Sequence, residues 1–190
     1  MYDVVIIGGG PAGASAATFT ARAGLTTAVV DADRGITRRA LLNNHLGFPE
    51  GIAGPDLVDR GRAQATAAGA EWIEGTASTV EPMEEGFEIG LGDEVTVEAR
   101  QVLLATGMSV ALAEAAGLAV RPGTEPRVQQ IEAVDAEGRT SRPGVWAAGT
   151  VAGVSVHTIV TAGDGARVAI NLVSALRGER HVDHDVLPAG

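Results

Sequence analysis

The chain has 190 residues, 45% of them hydrophobic and 20% charged, with 26 glycines; this excludes a disordered or fibrous protein and suits one compact domain. Net charge is −10 and the 14 basic residues are all arginine, so no basic face for a phosphate backbone is expected and nucleic acid is a poor partner. Cysteine is absent, so the chain's own side chains supply neither an attacking thiolate nor a redox-active dithiol.

The first element begins at once. Tyr2-Asp3-Val4-Val5-Ile6-Ile7 carries no basic leader or cleavage site, so no signal peptide is expected. No apolar run approaches the length of a membrane span, so a cytoplasmic protein without a membrane partner is expected. Its acidity fits either an arginine-rich, high-GC coding bias or a salty cytoplasm. Val4 to Ile7 is a short continuous apolar run ending at glycines, the pattern of a strand covered on both faces in a parallel sheet. A helix should follow, opened by Pro11, where a first-turn proline is tolerated, and built from Ala12, Ala14, Ala16, Ala17, Ala21 and Ala23. Thr26 to Val30 then reads as a second strand ending at Asp31.

The loop between strand and helix runs Gly8, Gly9, Gly10, Pro11, Ala12, Gly13. Gly8 permits the tight turn, Gly10 lets backbone approach a pyrophosphate, and Gly13 lets helix lie against strand. The helix N-terminus offers free N–H groups and a positive partial charge to the phosphates. Asp31, eighteen residues after Gly13, is placed to accept a ribose hydroxyl, with Ala32 beside it. Its negative charge disfavours a 2′-phosphate and therefore NADP. Dinucleotide binding is the expectation from strand, loop, helix and acid together.

Three later segments decide which dinucleotide. Asn44-His45-Leu46-Gly47-Phe48-Pro49, followed by Gly54-Pro55-Asp56-Leu57 and a helix through Ala68, resembles the segment beneath the flavin in the low-molecular-weight thioredoxin reductase family. Val102-Leu103-Leu104-Ala105-Thr106-Gly107 is similar to that family's second FAD motif. Thr140 to Gly149, with Arg142-Pro143-Gly144-Val145-Trp146-Ala147-Ala148-Gly149 at its heart, resembles the third. Ala162-Gly163-Asp164-Gly165-Ala166 then reads as the opening of the last helix, which continues through Val168, Ile170, Leu172, Val173 and Leu176.

The resemblance implies an α/β fold: a Rossmann-type FAD-binding domain with a parallel sheet flanked by helices and a small antiparallel β-meander over Glu71 to Ile73, Phe87 to Ile89 and Val95 to Glu98. The domain should span 1–180, as an N-terminal half 1–109 and a C-terminal half 127–180. A short connection, 110–126, stands where family members insert an NADPH domain; about 33 residues separate Gly107 from Thr140, too few for a second nucleotide unit of roughly 100 residues. The Cys-x-x-Cys that this domain carries is missing with it. Residues 181–190 form a polar tail, whose His181-Val182-Asp183-His184-Asp185 has metal-ligand residue types but no expected scaffold, so no metal is assigned.

By resemblance the cofactor-binding residues are Gly8, Gly10, Pro11, Ala12, Gly13, Asp31, Ala32, Asn44, Ala77, Ala105, Thr106, Gly107, Gly149, Thr150, His157 and Thr158. Thr150 stands where the family's third motif ends in aspartate, exchanging a charged acceptor for a hydroxyl at a cost of about 1 kcal/mol. His157 and Thr158 are expected in the loop before the last helix, and His157 is the candidate for contact with the flavin or for proton relay. Arg34, Arg38 and Arg39 form a basic cluster after Asp31 that is either solvated surface or a partner for phosphate. The function expected is an FAD-dependent oxidoreductase, a homodimer by resemblance, that takes electrons from an external donor, NAD(P)H or a redox protein, and passes them to an external acceptor. The alternative is a non-catalytic FAD-binding regulatory or carrier protein.

Overall fold

The computed structural model describes residues 1–92 and 95–187. Strand β1 (Tyr2–Ile7) leads through the glycine loop into helix α1 (Pro11–Arg22), and β2 (Thr27–Asp31) closes the first βαβ unit. Pro11 fills the first turn of α1, where its missing N–H costs nothing, and the helix ends at Gly24 with φ +83°. Two short strands, β3 (Leu41–Leu42) and β4 (Ile52–Ala53), pair antiparallel ahead of α2 (Gly54–Ala67). Pro55 and Asp56 in the first turn of α2 supply a pre-set φ and a carboxylate that complements the helix dipole.

The second half of the sheet follows as β5 (Glu71–Glu74), β6 (Thr79–Pro82), β7 (Phe87–Gly90) and β8 (Thr96–Leu104). Helix α3 (Ala111–Ala115), the hairpin of β9 (Val120–Pro122) with β10 (Gln129–Ile131), β11 (Val145–Ala147) and α4 (Thr158–Arg177) complete the strands and α-helices among the described residues. Five strands run parallel in the order β5-β2-β1-β8-β11. Strand β8 serves two neighbourhoods. Its first half, Thr96 to Ala99, pairs antiparallel with β7, and its second half, Gln101 to Leu104, pairs parallel with β1. The sheet therefore passes without a break into the meander β6-β7-β8.

Two expectations need correction. The meander does not include Glu71 to Ile73: these residues belong to β5, which pairs parallel with β2 (Ala28 to Glu71, Asp31 to Glu74) at the far edge of the main sheet. The third meander strand is β6, and Val95 to Glu98 is the lead-in of β8 and its first residues. The last helix opens at Thr158 and not near Gly163, so the Gly163-Asp164-Gly165 segment lies inside it. Gly165 is there for packing, since a Cβ at this position would strike the backbone carbonyl of Ala12 and force α1 and α4 apart. Of the tail expected over 181–190, residues 188–190 lie outside the described residues.

Alternation along β1 divides the core between the two faces of the sheet. Val4 and Ile6 pack with Ala16 and Ala17 of α1, Leu103, Trp146, and Val168 and Leu172 of α4. Val5 and Ile7 pack with Val102, Leu104, Ile89 of the meander and Leu112 of α3. Ile6, Leu103 and Leu172 are fully buried, each contributing about 1.5–3 kcal/mol of transfer free energy. Helix α4 has the length and apolarity of a membrane span, but Val168, Ala169 and Leu172 are buried against α1 and the sheet, and Val173 is buried too.

Candidate functional site

Parallel strands release their chain in one direction, so their following loops gather along one edge of the sheet. A cleft of about 380 Å³ follows that edge. Gly75 and Thr76 come from the end of β5, Asp31 and Ala32 from β2, and Gly8 to Ala12 from β1. Ala105 to Gly107 come from β8, and Ala148 to Thr150 from β11. A second cavity of about 370 Å³ opens between α1, α2, the 45–48 loop and α4; it shares Gly10 and Pro11 with the first.

The glycine loop is shaped by contacts that no side chain survives. Gly8 sits at φ +105°, and a Cβ there would strike the carbonyl of Ala105 on β8. At Gly13 a Cβ would strike the Gly8 carbonyl, so this glycine sets the approach of α1 to β1 and does not line the cleft. Gly10 is different: a Cβ would meet nothing within 4 Å, because its Cα faces the open cleft. The α1 N-terminus has no side-chain cap and no acidic residue in its first turn. The free N–H groups of Ala12 and Gly13 and the positive helix end are thus left for an anion.

Of the residues expected at the cofactor, Gly8, Gly10, Pro11, Ala12, Asp31, Ala32, Ala77, Ala105, Thr106, Gly107, Gly149 and Thr150 line the first cleft. Asn44 lines neither cavity and is exposed. Its neighbour His45 lines the second cavity and bonds through Nδ1 to Thr158 Oγ1 at 2.9 Å; burial pushes its pKa below the ordinary value. Thr158 is buried as the first residue of α4, and His157 is its exposed N-cap residue, bonded through Nδ1 to Ser155 Oγ at 2.7 Å. Helix α4, like α1, starts without a side-chain cap or a first-turn acid, and Thr161 and Ala162 of its first turns line the first and second cavities respectively.

The basic cluster after Asp31 divides. Arg34 lines the cleft, Arg38 is tied by ion pairs to Asp33 and Asp59, and Arg39 is exposed outside it. The tail docks on the body: Asp183 and Asp185 pair with Arg22 at 2.8 and 2.6 Å, and the buried His181 receives Arg177 on Nδ1 at 2.9 Å.

Sequence reasoning passed over Gly75 and Thr76, Met108 and Ser109, and Val156 and Thr161 as cleft residues. The first pair reaches the cleft because β5 pairs parallel with β2 and therefore ends at this edge. It also passed over Asp164, which is buried inside α4; Oδ2 accepts the Gly149 N–H at 2.7 Å and Oδ1 pairs with Arg167 at 2.7 Å. This carboxylate fixes the backbone from which Thr150 is presented to the cleft.

An open parallel sheet with a glycine loop, an uncapped helix and a strand-end acid at one edge defines a dinucleotide-binding α/β protein. The sequence pattern described as Pyridine nucleotide-disulphide oxidoreductase matches residues 2–119 and 52–166, and the chain belongs to that family. The thioredoxin reductase of Listeria monocytogenes is 38% identical over 112 residues, 56% of this chain and 34% of that protein. That of Aquifex aeolicus is 42% identical over 80 residues, 40% of this chain and 24% of that protein. The chain thus spans about a third or less of the length of these curated relatives.

Among solved structures, a thioredoxin reductase from Gloeobacter violaceus superposes with TM-score 0.78 at 19% identity, over 98% of this chain and 99% of that one. An oxidoreductase from Agrobacterium tumefaciens gives 0.80 at 18% identity, over 94% and 99%. At these identities the likeness shows the fold. The family's cofactor is FAD. The residues present fit it: the uncapped start of α1 and the side-chain-free face of Gly10 suit a pyrophosphate, and Asp31 suits a ribose.

Proposed function

We propose that the protein is an FAD-dependent oxidoreductase whose electron donor and acceptor both come from outside the chain. The observation that carries this reading is the cleft along the strand ends, which runs from Asp31 after β2, past Gly10 at the uncapped N-terminus of α1, to Thr150 after β11. It gives an extended dinucleotide one continuous track with its phosphates in the middle. Asp31 would hold the adenosine ribose; the free N–H groups of Ala12 and Gly13 would hold phosphate. Thr150, set by the Asp164 to Gly149 bond, would offer its hydroxyl to the ribityl chain. The bound flavin supplies two-electron redox chemistry.

The start of α4 brings a positive partial charge close to both cavities, and such a charge favours a group that becomes negative as it takes up electrons. His45 and Thr158 bond to each other across that start and tie the 45–48 loop to the helix. The chain holds no cysteine, so a disulfide or dithiol can enter only as a substrate. The same absence favours, as a second reading, a protein that binds FAD without catalysis.

Anaerobic reduction separates the two. With FAD bound, bleaching of the flavin spectrum by NADH, NADPH, a dithiol or a reduced redox protein supports the oxidoreductase. A flavin that resists all of these and bleaches only with dithionite contradicts it and leaves the binding protein.

A further inference from the structure

The connection that joins the two halves of the chain bonds to the loop ahead of α4, whose Val156 lines the cleft. Glu125 lies in the turn between β9 and β10 and is half-buried. Its Oε1 accepts the Ser155 hydroxyl at 2.6 Å and the Val156 N–H at 3.2 Å. Ser155 Oγ is in turn 2.7 Å from His157 Nδ1. Val156 lines the cleft, and Thr158, immediately after His157, bonds to His45 of the second cavity.

The direction of this chain of bonds follows from counting protons. An ionised carboxylate only accepts, and a serine hydroxyl has a single proton to give. Ser155 spends that proton on Glu125, so the contact with His157 exists only if Nδ1 carries the hydrogen and donates it to Oγ. A neutral ring has one N–H, which leaves Nε2 of this exposed residue with its lone pair and no hydrogen. Had Glu125 been a neutral amide, its N–H could donate to Oγ, Ser155 could donate to Nδ1, and the hydrogen would move to Nε2.

We infer that Glu125 and Ser155 are positioning residues that hold His157 as the Nδ1–H tautomer, so that Nε2 is a proton acceptor for an external thiol substrate arriving at the mouth of the cofactor cleft. In the step served, the S–H bond breaks and an Nε2–H bond forms; the sulfur keeps the electron pair and becomes a thiolate, and the ring becomes an imidazolium. Thiol is the fitting class because it must be ionised before it gives up electrons, whereas a dihydronicotinamide delivers a hydride and presents no acidic proton for His157 to remove. The inference rests on the oxidoreductase reading, but the tautomer does not.

The first measurement is therefore made on the full chain with no flavin added: ¹⁵N correlation spectra of the histidine rings at a pH where they are neutral. His157 is expected with a protonated Nδ1 and a bare Nε2, and in Glu125→Gln with the hydrogen moved substantially to Nε2. A His157 that holds Nε2–H in the unsubstituted protein, or that does not change in Glu125→Gln, overturns the relay whatever the protein's activity.

The second measurement is anaerobic bleaching of bound FAD by dithiothreitol and, separately, by NADH or dithionite. Loss of a positioned base typically costs about a hundredfold or more; removing only its orientation, in Glu125→Gln and Ser155→Ala, is expected to slow dithiothreitol by roughly tenfold and leave the other reductant unchanged. Equal slowing with both reductants, or none with dithiothreitol, refutes the thiol assignment. If no FAD binds at all, the oxidoreductase reading falls while the tautomer result stands or falls separately.

Discussion

Gly10 and Gly13 stand three residues apart in one loop, and the structure gives them opposite liabilities. At Gly10 the backbone has φ −68° and ψ −172°, open to any residue, and an added Cβ meets nothing within 4 Å. Alanine is a somewhat poorer N-cap than glycine, but it also lowers the entropy of the unfolded chain; these effects are each below about 1 kcal/mol and oppose one another. Gly10→Ala should therefore fold with a nearly unchanged Tm. Its methyl group occupies the face where phosphate would approach the α1 amides, and each charge-assisted bond lost there costs about 1.5–3 kcal/mol. The Kd for FAD should rise by about tenfold to a hundredfold.

At Gly13 the added Cβ meets the Gly8 carbonyl, with its carbon at 2.9 Å, and neither partner is a flexible side chain. Overpacking of this kind costs about 1–3 kcal/mol, so Tm should fall by roughly 2–12 °C in a chain of this size. Thermal melts with and without FAD distinguish the two. Ligand at a hundred times Kd stabilises by about 2.7 kcal/mol, and a hundredfold loss of affinity at the same concentration removes most of that increment in Gly10→Ala. In Gly13→Ala the loss appears already without FAD. The reasoning is refuted if Gly10→Ala melts as low as Gly13→Ala in the absence of flavin, or if Gly10→Ala binds FAD as tightly as the unsubstituted chain.

Asp164→Ala leaves the buried Gly149 N–H without its acceptor and takes from Arg167 its carboxylate partner. It should cost about 1–3 kcal/mol in urea unfolding, and Asp164→Asn, which keeps one carbonyl oxygen for Gly149, should cost less; the reverse order would show that the carboxylate does not hold Gly149. Burial lowers the pKa of His45 from its usual 6.5, so below that value the unfolded chain binds more protons than the folded one. The stability owed to His45 is present above about pH 6.5 and falls as pH drops through the lowered folded pKa. Urea midpoints between pH 7 and pH 5 should fall less steeply in His45→Gln, and an identical slope would count against burial of this ring.

The first βαβ unit was legible because its constraints are local. A tight turn, a close helix approach and a strand-end acid each require a residue type at a fixed spacing, and Gly8, Gly13 and Asp31 stand there. Strand β5 was not legible as a parallel strand, since Glu71-Trp72-Ile73-Glu74 is too short for its pattern to show which neighbour it pairs with; its pairing with β2 is a tertiary choice. Misplacing β5 also hid Gly75 and Thr76. The start of α4 was hidden by Thr158-Ile159-Val160-Thr161, a β-branched run with low helix propensity. Packing overrides that preference here, with Thr158 and Thr161 buried and the Thr161 hydroxyl bonded to the Thr158 carbonyl. The link from Glu125 to Ser155 crosses 30 residues, and no periodicity announces a bond of that kind.

The central claim is that the cleft at the strand ends takes FAD, and the most direct test is titration of the purified, cofactor-free chain with FAD, followed by its visible spectrum and flavin fluorescence. Saturable binding of one FAD per chain, weakened in Gly10→Ala, is expected. A chain that stays colourless after incubation with FAD and desalting, with no change in flavin fluorescence on titration, would contradict it.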